Sequence, residues 1–232
     1  MSFLSIKEFS FQMSLLPVIS SSQPYSRVTQ HPAELVQIFD QDTQIICWQR
    51  HTNPTITTYL QQVTAKGLLS SGFRTCLKAN QQLDLTHLPD GSGRSALADD
   101  IDQLSVLYHD LLGCSISGLR LEVLHNAMCP RFHVDRTGIR MTCTYLGAGT
   151  EWIDDAQVDR TKLGSGANGL SDTESGLFMD EISIEAAFCS DVVLLKGTLW
   201  QGNTTRGAIH RSPATGLSDN ARVLLVIDAL WD

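Results

Sequence analysis

The sequence predicts an α+β fold, with a double-sheet jelly roll in the C-terminal half and a helical layer from the N-terminal half packed outside it. Two observations carry this reading. Up to Gly113 apolar residues recur at helical spacing, whereas beyond it they alternate in short runs separated by Gly, Asn, Asp and Pro. Many short strands with a helical layer fit two packed sheets covered on one side. At 232 residues the chain can bury a sizeable core. We read one compact unit, with residues 1–114 mainly helical and residues 115–232 forming the jelly-roll core.

The opening stretch, residues 1–18, is mildly apolar but interrupted by Lys7, Glu8 and Gln12, and reads as part of the mature protein. HPAELVQIF follows as a helix, then TITTYLQQVTAKGLL, whose Ile56, Tyr59, Leu60 and Val63 fall on one face. The clearest helix is SALADDIDQLSVLYHDLLG, with Leu97, Ile101, Leu104, Leu107, Tyr108 and Leu111 in one stripe. Ser95 suits its N-cap, Asp99 and Asp100 suit the positive end of its dipole, and Gly113 suits its end. Strands are expected over 119–125, 139–147, 183–190, 191–200, 207–212 and 222–230. Residues 162–176, rich in Gly, Ser, Asn and Asp, read as a long loop.

Composition narrows the function. A net charge of -8 argues against a phosphate-tracking surface, so nucleic acid is not an expected partner. No apolar run reaches the roughly 20 residues that span a bilayer, so no membrane partner is expected either. Six scattered cysteines form no CxxC pair and no dense framework, which fits a reducing cytoplasm. No P-loop, dinucleotide fingerprint or nucleophile elbow is present.

The chemistry gathers in CPRFHVDRTGIRMTCTYLG, beginning at Cys129. His133 and Asp135 stand at i and i+2, so an extended backbone sends both side chains to one face. A third ligand must come from elsewhere, and GAIHRSP offers His210 on a late strand. Two imidazoles and one carboxylate on one face of an octahedral ion leave positions open, the facial triad of non-haem Fe(II) oxygenases. Such an ion keeps positive charge and favours an anionic chelating cosubstrate, whose far carboxylate needs its own cation. Arg222, at the start of the last strand, is the first choice for that cation. Arg211 is the weaker one, because alternation turns it away from His210.

HVD, then DVVLLKG, IHRSP and ARVLLVI in that order, resemble the HxD...H...R pattern of Fe(II)- and 2-oxoglutarate-dependent dioxygenases over roughly residues 119–230. The resemblance implies a double-stranded β-helix core and a metal held by His133, Asp135 and His210. It places the cosubstrate's distal carboxylate on Arg222, with Thr142, Thr144 or Tyr145 adding a hydrogen bond. Because β alternation separates Arg140, Thr142 and Thr144 from Met141, Cys143 and Tyr145, only one of these faces can line the pocket, and the Arg/Thr face is expected to. FHVDRTGIRMTCTYLGAGTEW with LLKGTLW and HRSP is also similar to an uncharacterised bacterial family, a domain of unknown function associated with zinc homeostasis.

Two functions follow. One is an oxygenase using Fe(II), 2-oxoglutarate and O2 to hydroxylate an unidentified small-molecule or protein substrate. The other is a zinc-binding or metal-homeostasis protein on a cupin-like scaffold without oxygenase activity, in which Cys129 completes a Cys/His/Asp/His set suited to tetrahedral Zn(II). A cupin-like metal enzyme without 2-oxoglutarate is a third reading. An HxD pair alone is more often a turn or a cap than a ligand pair. Its position before strands carrying His210 and Arg222 favours the metal.

Overall fold

The computed structural model describes residues 25–178, 183–213 and 221–231. The opening stretch, residues 1–18, lies outside the described residues. Ten strands and two α-helices follow in chain order: β1 (Ser26–Thr29), β2 (Ile45–Trp48), α1 (Pro54–Ala65), β3 (Gly72–Lys78), α2 (Arg94–Leu112), β4 (Ile116–Leu124), β5 (Ile139–Leu146), β6 (Glu151–Trp152), β7 (Glu185–Ala186), β8 (Val192–Lys196), β9 (His210–Arg211) and β10 (Arg222–Leu230). The large sheet runs β1-β2-β8-β5-β10-β4-β3, and a small one runs β7-β6-β9. Only the β1/β2 pair is parallel.

Alternation along the central strands sorts the core into two layers. Ile139, Met141, Cys143 and Tyr145 of β5 and Val223, Leu225 and Ile227 of β10 share one cluster with Leu60 of α1 and Leu97, Ile101 and Leu104 of α2. On the opposite face Val193 and Leu195 of β8 and Ile45 of β2 pack with Trp152, Phe132 and Ile209. The small sheet therefore covers β2 and β8, and the outward faces of β5, β10 and β4 are left to line a cleft.

The first half contains more strand than its sequence suggested. It supplies β1, β2 and β3, of which β1 and β3 form the edges of the large sheet. IICW is a short apolar run that periodicity cannot assign between strand and helix. The helices behave as read: Ile56, Tyr59, Leu60 and Val63 are buried on α1, and Leu97, Ile101, Leu104 and Tyr108 on α2. HPAELVQIF closes into a 3-10 helix over Pro32–Phe39. The cap of α2 differs, because the helix begins one residue before Ser95 and its N-cap is Gly93 at φ 107°. A Cβ on Gly93 would lie 2.7 Å from the Thr55 carbonyl oxygen, so close approach of α2 to α1 selects glycine there.

The strand expected over 222–230 matches β10 end to end. Three others are shorter than expected: 183–190 pairs only over Glu185–Ala186, 191–200 only over Val192–Lys196, and 207–212 only over His210–Arg211. No helix among the described residues is long and apolar enough to cross a membrane.

Candidate functional site

The three donors come from two neighbouring segments of the small sheet. His210 begins β9, which pairs with β6 through His210 opposite Trp152. On its other side His210 forms a reciprocal bridge with His133, each backbone N–H donating to the other's carbonyl at 3.0 Å. That bridge sets the two imidazoles 4.5 Å apart, centroid to centroid. Asp135 follows two residues later, where its carbonyl accepts from the Thr198 N–H just beyond β8. One donor atom from each of His133, Asp135 and His210 lies within 4.8 Å of the others.

Hydrogen bonds fix which atoms face inward. His133 Nδ1 is 2.9 Å from the Arg131 carbonyl oxygen and His210 Nδ1 is 3.0 Å from that of Ala208, so each Nδ1 carries the proton and donates it. The two Nε2 atoms face Asp135, at 3.6 and 3.4 Å, where they donate to the carboxylate in the charged imidazole and offer a lone pair to a metal in the neutral one. Backbone acceptors behind the imidazoles are a recurrent way of orienting metal-binding histidines. Burial alone would raise the Asp135 pKa, but the facing imidazoles and Arg140 outweigh it and hold the carboxyl well below the usual carboxylate range. Two imidazole nitrogens and an ionised carboxylate converging on one point fit a divalent ion with open positions.

Arg140 is a site residue whose role the sequence did not disclose. Its Nη1 donates to Asp135 Oδ2 at 2.5 Å, while Nε and Nη2 grip both oxygens of Asp228 at 2.8 Å. It ties the donor carboxylate to β10. Arg120 also reaches Asp228, and both Arg120 and Arg74 pair with Glu122. These ion pairs line the cleft from β4 across to β5.

Arg222 lies at the inner end of the same cleft, which has a volume of about 530 Å³ including its open mouth. Its Nε donates to the Ala148 carbonyl at 2.8 Å, and Nη2 donates to Thr144 and Thr150 at 3.2 and 3.3 Å. Nη1 has no hydrogen-bond partner among the described residues. Only 4% of Arg222 is exposed, and burial pushes its pKa down to about 10 despite Glu122 and Glu151. A buried guanidinium with no carboxylate on it keeps donor capacity and charge that its surroundings do not use. A bulge between Val223 and Leu224 and the glycine at 147, φ 87°, shape its surroundings. A Cβ on Gly147 would come within 3.2 Å of the Arg222 Cα.

The other sequence candidates divide. Thr142 lines the cleft, and Thr144 supports Arg222 from the same face of β5. Tyr145 does not reach the cleft: alternation turns it to the helical face, where its hydroxyl donates to Asp100 at 2.5 Å. Arg211 borders the cleft but is engaged by Glu151 at 2.6 Å and Asp172 at 3.3 Å, and its guanidinium lies over Phe132. That leaves it no free charge for a cosubstrate. Cys129 lines the cleft yet does not join the donor group. Burial and nearby Asp135 raise its pKa, and its sulfur is not among the converging donor atoms, so the Cys/His/Asp/His set suited to tetrahedral zinc is not assembled in this structure. Thr150, which also supports Arg222, was missed because GAGTEW carries no local signal that it faces a strand 72 residues away.

The sequence matches the family described as a protein of unknown function (DUF1826) over residues 29–228. No curated protein matches it. Among solved structures the chain is similar to the dioxygenase for auxin oxidation 1 from Arabidopsis thaliana, solved as a complex with 2-oxoglutarate. Identity is 10% and the TM-score 0.50, covering 89% of this chain and 92% of that one. The dioxygenase for auxin oxidation from rice is 11% identical with a TM-score of 0.47, covering 88% of this chain and 82% of that one. A prolyl-4-hydroxylase from Pseudomonas putida is 12% identical with a TM-score of 0.42, covering 87% and 100%. At such identities the likeness to the first shows the fold alone, the double-stranded β-helix. The chain belongs to the DUF1826 family.

Proposed function

We propose, from the chain's own residues, since its family is one of unknown function, that this protein is a non-haem Fe(II)- and 2-oxoglutarate-dependent oxygenase. His133, Asp135 and His210 would hold the metal. When bound, Fe(II) supplies the redox chemistry that couples oxidative decarboxylation of 2-oxoglutarate, to succinate and CO2, with oxygen insertion into a substrate. The observation that carries the reading is one cleft holding both a thiolate-free three-donor group and a buried arginine without a carboxylate partner.

The protein's own part is positioning. The Arg131 and Ala208 carbonyls hold each imidazole in the tautomer that offers Nε2. Arg140 holds Asp135 by one oxygen and leaves the other free to turn toward the histidines. Arg222, steadied by Ala148, Thr144 and Thr150, presents Nη1 to the distal carboxylate of 2-oxoglutarate, and Thr142 lies on the same wall. Leu195, Leu224 and Val226 give the cleft its apolar wall.

The test is metal analysis of protein purified without an affinity tag, then anaerobic reconstitution with Fe(II) and assays of 2-oxoglutarate binding and succinate formation. Bound iron, 2-oxoglutarate binding and succinate are expected. Zinc at full occupancy, indifferent to added iron, would overturn the reading and leave a metal-homeostasis role.

A further inference from the structure

A second cleft adjoins the one that ends on Arg222. Cys129 and His133 line both, so the two chambers meet at one of the metal donors. The second has a volume of about 550 Å³ including its mouth, and its walls include Pro130, Phe132 and Ala167. Its rim carries Arg131 and Lys162.

The charges in this chamber do not balance. Its carboxylate, Asp172, is occupied by the Phe132 backbone N–H at 3.1 Å and by Arg211 at 3.3 Å. The Arg131 side chain makes one hydrogen bond, from Nη1 to the Leu170 carbonyl at 2.8 Å, and no carboxylate pairs with it among the described residues. The Lys162 ammonium makes no hydrogen bond or close ion pair among the described residues, although its charge is felt by Asp159, whose carbonyl accepts from the Lys162 backbone N–H. Two cations with no carboxylate bonded to them among the described residues thus stand beside apolar walls in a protein whose net charge is -8. The chamber is locally positive against a negative whole, which concentrates anions at its mouth.

The two chambers differ in depth as well. Arg222 is 4% exposed and suits a cosubstrate held throughout the reaction. Arg131 and Lys162 lie nearer solvent, where a second reactant can enter and leave. His133, the more exposed of the two imidazoles at 27% against 9%, faces this side.

Resting on the oxygenase reading, we propose that this second chamber receives the molecule to be oxidised, and that it selects a small substrate carrying a carboxylate or phosphate on an apolar body. Arg131 and Lys162 pair with the anionic group, and Pro130, Phe132 and Ala167 contact the apolar part.

The test is calorimetric titration of the purified full chain, without 2-oxoglutarate, using phenylacetate, phenyl phosphate and the neutral phenylacetamide as probes. At least one anion should bind about tenfold more tightly than the amide, and the preferred anion identifies the group recognised. Lys162→Glu, and separately Arg131→Gln with Lys162→Gln, should weaken that binding at least about fivefold, the half-exposed setting reducing the full effect of a charged hydrogen bond. Arg222→Gln should leave it unchanged. Equal binding of amide and anions, no binding of either anion, retention in Lys162→Glu, or loss in Arg222→Gln would each overturn the proposal. The oxygenase reading is tested separately by titrating 2-oxoglutarate into Mn(II)-loaded wild type. Failure there would sink that reading while the probe titrations still report on the second chamber.

Discussion

Replacing Arg222 by glutamine separates a cosubstrate receptor from a structural anchor. As a receptor, the guanidinium offers the two N–H groups of Nη1, each able to make a charge-assisted hydrogen bond to an anionic oxygen worth roughly 1.5–3 kcal/mol. A glutamine amide restores one neutral bond of about 1 kcal/mol. The net loss is about 3 kcal/mol, or roughly 150-fold in the Kd of 2-oxoglutarate. Folding should respond differently. Burial lowers the Arg222 pKa to about 10, so the folded state disfavours the charged form at every pH below that value. Converted, this is a cost of about 3 kcal/mol at neutral pH. Removing the charge offsets the loss of the bonds to Ala148, Thr144 and Thr150. The metal-free variant should therefore melt at or above the wild-type temperature. The assays are calorimetric titration of 2-oxoglutarate into the Mn(II)-loaded protein, Mn(II) titration of the metal-free protein, and a thermal melt. A 2-oxoglutarate affinity within threefold of wild type would refute the receptor role. A marked fall in melting temperature would instead identify a strand anchor.

His133→Ala, Asp135→Ala and His210→Ala should each abolish tight Mn(II) binding; retention by the His210 variant would mean another residue is the third donor. Cys129→Ser should leave metal affinity unchanged, since the thiol stands outside the donor group, and a loss in the same titration would restore the zinc reading. Arg140→Met leaves Asp228 and Asp135 without their shared cation. With these side chains about four-fifths buried, it should lower urea-unfolding stability of the metal-free protein by about 2–3 kcal/mol. Tyr145→Phe removes the bond to Asp100 on the helical face and should cost about 1 kcal/mol of stability, with 2-oxoglutarate affinity unchanged in the same calorimetric titration.

What was legible in the sequence depended on whether local pattern or distant pairing decided it. The i, i+2 spacing of His133 and Asp135 needs only an extended backbone, and the apolar stripes of α1 and α2 need only helical period. The β10 limits were clear because RVLLVIDAL is a nearly unbroken apolar run in the sequence, preceded by a stretch containing Gly, Ser, Asp and Asn. By contrast, whether 183–190 and 207–212 form long strands depends on what lies beside them, and each finds only two paired residues. The role of Arg140 was hidden for the same reason. Its partner Asp228 is 88 residues away, and a local cluster of arginines does not announce which carboxylate each will take.

The register of β5 is where fold and site depend on one another most closely. Arg140, Thr142 and Thr144 face the cleft and its arginine, while Met141, Cys143 and Tyr145 belong to the core against the helices. A slip of one residue would exchange the two sets, burying a guanidinium under α2 and turning the Tyr145 ring into the cleft. The register is held from both sides, by β8 through Met141 opposite Leu194 and by β10 through Thr142 opposite Val226. The bulge between Val223 and Leu224 falls where this pairing approaches Arg222, and bulges re-aim a side chain beside a site without disturbing the ladder beyond it. The same alternation that makes the core therefore supplies Arg140 and Thr142 to the cleft and Thr144 to Arg222. The irregularity at its end accompanies Arg222, whose buried guanidinium pairs with no carboxylate among the described residues.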